Sequence, residues 1–136
     1  MTEPVDAQAL TFSTLDHAID SVSRSGGPLT PFVMRAEGDT IHLARFVAET
    51  LEESQEHARA HARAADPATT LIALAYDGYL TLDGTRRDAI FVQVQSAGTA
   101  TSDLYAQQYE IVRGQITEVG NVKHVASQEP PLLGPR

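Results

Sequence analysis

Two segments of the chain carry apolar side chains at helical spacing, and most of the remainder alternates or runs apolar in the manner of strands. Leu15, Ala18, Ile19 and Val22 share one face of a helix expected over about residues 14–25. Ser13 or Thr14 is its expected cap, with Asp16 in the first turn, where the helix dipole favours negative charge. Gly26, Gly27 and Pro28 stop it, because glycine takes the left-handed cap conformation and proline cannot continue a helix. Residues 1–10 are polar and without a period, and they read as a flexible N-terminal arm.

The second helical segment opens at Thr50 and Glu53, which have the spacing of a capping box, and is expected over about residues 51–65. Its apolar stripe is Leu51, Ala58, Ala62 and Ala65, thin and rich in alanine. Such a helix can approach a sheet closely but buries little area. Asp66 and Pro67 end it.

Between the helices, Pro31 to Ala36 and Thr40 to Val47 read as two strands joined by a turn at Gly38. From Thr70 onward the chain reads as strands throughout. Asp77-Gly78, Asp83-Gly84 and Arg113-Gly114 each carry turn chemistry, and hairpins are expected at Gly38, Gly78 and Gly114. Ala89 to Gln95 is apolar enough for a central strand. Short turns make neighbouring strands antiparallel. The expected fold is α+β: a predominantly antiparallel, curved sheet of about six or seven strands, with both helices packed on one face. Residues 11–126 form this single domain, and residues 127–136, with three prolines, form an unpaired tail. An apolar second face would need covering, and self-association as a homodimer is expected for that reason.

Length and composition narrow the functional classes. A chain of 136 residues suits one domain that folds without disulfide or metal. Cysteine is absent, which removes disulfide frameworks, thiolate zinc sites and cysteine nucleophiles. The start lacks the basic and apolar regions of a signal peptide, and no apolar run is long enough to span a bilayer, so a cytoplasmic location is expected. The net charge of −8, with lysine only at Lys123, disfavours nucleic acid as a partner. The balance of alanine and arginine over isoleucine and lysine looks bacterial.

Candidate chemistry is sparse. Glu53, His57 and His61 recur every four residues and stack along one helix face, where two histidines can share a divalent metal. The same spacing also suits a solvated, charge-compensated face. Asp77, Asp83 and Asp88, with Arg86 and Arg87 between them, offer paired carboxylates or oxygen ligands, although Asp-Gly is also ordinary turn chemistry. Arg35 and Arg45, in strands expected to pair, suit either an anion site or the solvent face. Tyr76, Tyr79, Tyr105 and Tyr109 suit a pocket lining or cross-strand packing. His17 reads as exposed, and His124 has no evident partner. Neither a nucleophile elbow nor a phosphate loop is present, and no catalytic residue or cofactor is assigned.

The stretch from Ala73 to Ala89, together with Pro31 to Arg35 and with Arg45 and Phe46, resembles small uncharacterised bacterial proteins of unknown function. The resemblance covers about residues 30–95, rests on turns between strands, and implies no activity. The expected function is thus a non-enzymatic binding or self-associating module. The alternative is a small metal-dependent or acid–base enzyme built on Glu53, His57 and His61.

Overall fold

The computed structural model describes residues 5–134. Residues 1–4 of the expected arm and the last two residues of the expected tail lie outside them. Helix α1 (Ala7–Ser25) is followed by strands β1 (Phe32–Glu37) and β2 (Thr40–Arg45), helix α2 (Leu51–Arg63), and strands β3 (Leu71–Leu82), β4 (Thr85–Ser96), β5 (Ser102–Val112) and β6 (Gln115–Glu129). The strands form one antiparallel, curved six-stranded sheet in the order β2-β1-β3-β4-β5-β6, which makes the fold α+β as expected.

The two helices pack on opposite faces of the sheet, and not on one. On the front face, Leu10, Leu15, Ala18 and Val22 of α1 pack against Phe32, Met34, Ala73, Ala75, Ile90 and Val92. On the back face, Ala58 and Ala62 of α2 pack against Val33, Ile72 and Leu74, the strand positions of opposite parity. Consecutive residues of β3 and β4 are buried, on both sides of the strand, because both faces are covered. Among the described residues, α1 and α2 thus each cover one face of the central strands.

Helix α1 begins earlier than its apolar period suggests. Asp6 is the cap, accepting from the Ala9 amide at 2.7 Å, so residues 7–10 of the expected arm are helical and Leu10 is in the core. Thr14 is fully buried and donates to the Leu10 carbonyl, so it is a mid-helix residue and not a cap. The α2 cap is as expected, with Thr50 Oγ1 accepting from the Glu53 amide at 3.1 Å.

Asp77 and Gly78 do not turn the chain. Strand β3 runs straight through them, pairing Asp77 with Ile90 and Gly78 with Ala89. The hairpin closes instead at Asp83 and Gly84, both at positive φ (52° and 79°), the conformation of a twist-matched two-residue turn. Arg113 and Gly114 repeat it for β5 and β6, at 53° and 79°. Gly78 is required for a different reason: a Cβ there would sit 2.9 Å from the Phe91 ring, which stacks on Tyr76.

The C-terminal segment is not a free tail. Strand β6 continues to Glu129, and the chain then crosses the back face beside α2. Gln95 Oε1 accepts from the Leu132 and Leu133 amides at 2.7 and 2.9 Å. Gln93 and Ser102 both donate to the Pro130 carbonyl, at 3.0 and 2.7 Å. Leu132 and Leu133 are thereby buried beside Ala58 and Ala62, adding apolar volume that α2 lacks.

Candidate functional site: a cleft between α1 and the sheet

A cavity of about 570 Å³ lies on the front face between the first turns of α1 and strands β4–β6. That size suits a small-molecule site. Its apolar wall is Phe12 from the helix with Val94 and Val122 from the sheet, and Phe12 is half exposed although it is a large aromatic. The polar wall holds Asp103 and Tyr105 of β5 and His124 of β6. Threonine hydroxyls at Thr11, Thr99 and Thr101 rim it.

The sheet brings the polar groups together. Tyr105 pairs directly with His124 across β5 and β6, with ring centroids 5.0 Å apart. His124 Nε2 lies 3.3 Å from Asp103 Oδ1. A carboxylate offers only lone pairs, so Nε2 carries the hydrogen and neutral His124 leaves Nδ1 as an acceptor. Both side chains are about half exposed, at 49% each, so the pair is worth little as a stabilising contact.

A bulge lies beside His124 on β6. Between Ala106 and Gln108 of β5 the partner residues jump from Lys123 to Val119, so four residues of β6 span two of β5. Buried Gln107 fills the gap, its amide donating to the Val119 and Gly120 carbonyls at 3.3 and 3.1 Å. Gly120, at φ 70°, supplies the backbone conformation. Val122 and His124 lie against the front face, facing α1.

A second, smaller cavity of about 430 Å³ lies beyond the C-terminal end of α1 and holds Asp77 and Asp88 with Tyr79 and Tyr109. Asp77 Oδ2 accepts from the Leu29 amide at 2.8 Å and from the Tyr109 hydroxyl at 2.7 Å. Burial raises the Asp77 pKa above the ordinary carboxylate value, opposed by these hydrogen bonds. The Tyr109 hydroxyl is pushed up as well, by burial first and then by the Asp77 carboxylate it donates to. Asp83, the third carboxylate of the sequence cluster, is in the exposed β3–β4 turn and lines neither cavity. Arg87 pairs with Glu110 at 2.6 Å, and Arg86 lies 4.0 Å from the Tyr79 ring centroid.

Glu53, His57 and His61 are exposed on α2. Among the described residues no three histidine, aspartate or glutamate side chains are grouped so as to hold a metal ion. His61 packs on Phe46, with centroids 5.1 Å apart, and neither it nor its two companions line the main cleft. Arg35 and Arg45 do not face each other: β1–β2 register pairs Arg35 with His42 and Arg45 with Phe32, placing them on opposite faces. Arg35 binds Glu37, and Arg45 meets His17 Nε2 at 2.9 Å. His17 is half-covered, edge-on to Phe32, and its pKa is lowered by burial and then by Arg45. Of the four tyrosines, Tyr105 lines the main cleft, Tyr79 and Tyr109 line the second, and Tyr76 is on the back face under Arg59.

Comparison with protein-family models, curated proteins and solved structures finds no match to this chain. No helix among the described residues is long and apolar enough to cross a membrane.

Proposed function

We propose that this protein binds a small molecule in the cleft between α1 and β4–β6. The observation that carries this reading is the cleft itself: about 570 Å³, with an exposed aromatic wall at Phe12 and convergent polar groups at Asp103, Tyr105 and His124. The apolar wall rewards burial of a compact ligand, and the polar groups orient it. An anionic ligand is disfavoured, since a net charge of −8 repels anions.

Nuclear magnetic resonance with a library of small aromatic and heterocyclic fragments tests the reading. Binders shift the amides of Thr11, Val94, Tyr105 and Val122, and Val122→Trp, which fills the cavity, abolishes those shifts. A library in which no compound perturbs these amides, or binding that survives in Val122→Trp, overturns it. Metal or acid–base chemistry on Glu53, His57 and His61 has less support, because none of those side chains lines the cleft and, among the described residues, no three such side chains are grouped to hold a metal ion.

A further inference from the structure

We infer that His124 is a general base in the cleft, acting on a compact, largely apolar molecule that carries an acidified C–H bond. The inference rests on the cleft being a ligand site and goes one step further, from binding to proton transfer. Three features of the structure meet at this residue. Nε2 is held by Asp103 at 3.3 Å, so the neutral ring presents Nδ1 as a proton acceptor. The Tyr105 ring, tilted 33° with its centroid 5.0 Å away, restricts the imidazole from one side. Phe12 of α1, with Val94 and Val122 of the sheet, gives the cleft an apolar surface that can hold an apolar body close to the base.

Neither half-exposed partner anchors the fold, and the pair lies on the cleft wall beside the β6 bulge and the buried amide of Gln107. Asp103 is a positioning residue: its contact with Nε2 fixes the tautomer and the ring orientation. In the reaction a proton passes from carbon to Nδ1, and the bonding pair stays on the substrate, delocalised into an adjacent electron-withdrawing group. The imidazolium then returns the proton to the substrate or releases it to water. Asp103 and Tyr105 are the other titratable side chains lining the cleft; α1 contributes Ala7, Gln8, Thr11 and Phe12, none of which titrates.

The probe is 5-nitrobenzisoxazole. Removal of its C3 proton places the C–H electron pair in a nitrile bond, breaks the N–O bond and releases a coloured phenolate. The unreactive isostere 5-nitroindazole reports binding by amide shifts. The expected result is saturable turnover faster than free imidazole at equal concentration. His124→Gln should lower it about 100-fold, a far larger loss than any weakening of 5-nitroindazole binding from the missing polar contact. Asp103→Asn should give a partial loss with an altered pH profile, restored in part by Asp103→Glu. Binding of 5-nitroindazole without turnover above imidazole, or full turnover in His124→Gln, overturns the base while the binding reading stands. Failure of 5-nitroindazole to shift the cleft amides, in a protein that binds other fragments there, overturns the stated substrate class. Failure of every fragment overturns both readings.

Discussion

The two faces of the sheet are held by different physics. On the front, α1 contributes Leu10, Leu15 and Val22 and covers Phe32, Ile90 and Val92, so side-chain area removed from water does most of the holding. On the back, α2 offers two buried alanines, and the deficit is made up by Leu132, Leu133 and a set of directed hydrogen bonds, in which Gln93 donates to the Pro130 carbonyl and Gln95 accepts from the Leu132 and Leu133 amides. A front contact can be exchanged for another of similar volume. A back contact depends on particular amides meeting particular carbonyls, because a buried donor left unpaired costs more than the bond contributes when made. The cleft opens where the front packing thins, at the first turns of α1, and its polar groups come from the strands that α2 does not reach.

Substitutions on each face sharpen this contrast. The largest effect is expected for Phe32→Ala, which removes a fully buried ring from the front core and should cost about 3–5 kcal/mol in urea unfolding. On the back, Gln95→Leu strands the Leu132 and Leu133 amides and should cost about 2–4 kcal/mol. Hydrogen exchange distinguishes the two mechanisms. Gln95→Leu should accelerate exchange at Leu132 and Leu133 well before it affects β3, whereas Phe32→Ala should lower protection throughout the sheet. Equal loss of protection everywhere in both variants would erase the distinction between the faces.

Gly78→Ala should cost about 1–3 kcal/mol, because its new methyl meets the Phe91 ring 2.9 Å away. The double variant Gly78→Ala, Phe91→Leu should recover part of that loss, and a strictly additive cycle would show that the ring contact is not the cause. The smallest effect is expected at Asp77. Burial raises its folded-state pKa above the unfolded value of 3.8, so the folded state favours the protonated carboxyl. Its contribution is therefore fully present below that unfolded value and is lost as pH rises through the folded one. Asp77→Asn keeps an acceptor for the Leu29 amide and the Tyr109 hydroxyl without the charge. Its stability relative to wild type should thus improve between pH 4 and pH 7, by less than about 1.4 kcal/mol for each unit of pKa displacement. Urea midpoints measured across that range check the sign.

Legibility followed the range of the interaction. The α2 cap, the Gly38 and Gly114 turns and the strand-rich second half were readable because neighbours in sequence decide them. Asp77-Gly78 misled for a physical reason: its two residues match the turn pattern, but a genuine turn follows at Asp83-Gly84, and Gly78 answers to Phe91 across the strand. The start of α1 was missed because its first turn places the polar Gln8 and the exposed Ala7 and Ala9 toward solvent, with Leu10 the one early core residue. His124 showed no partner in sequence because Asp103 is 21 residues away and meets it only through the β5–β6 register.

The chain alone determined its local units: two helices with their stops, tight turns at glycines, strands rich in apolar residues, and an acidic composition without cysteine. Period and turn chemistry act over a few residues and are written in consecutive positions. Tertiary structure decided what those units do together. It set α1 and α2 on opposite faces, drew the C-terminal segment onto Gln93 and Gln95, and carried β3 through Gly78. It also paired β5 with β6 so that Asp103 and His124 share one cleft wall. Each of these outcomes depends on pairings between residues far apart in the chain, and strand register, which no single segment encodes, selects them.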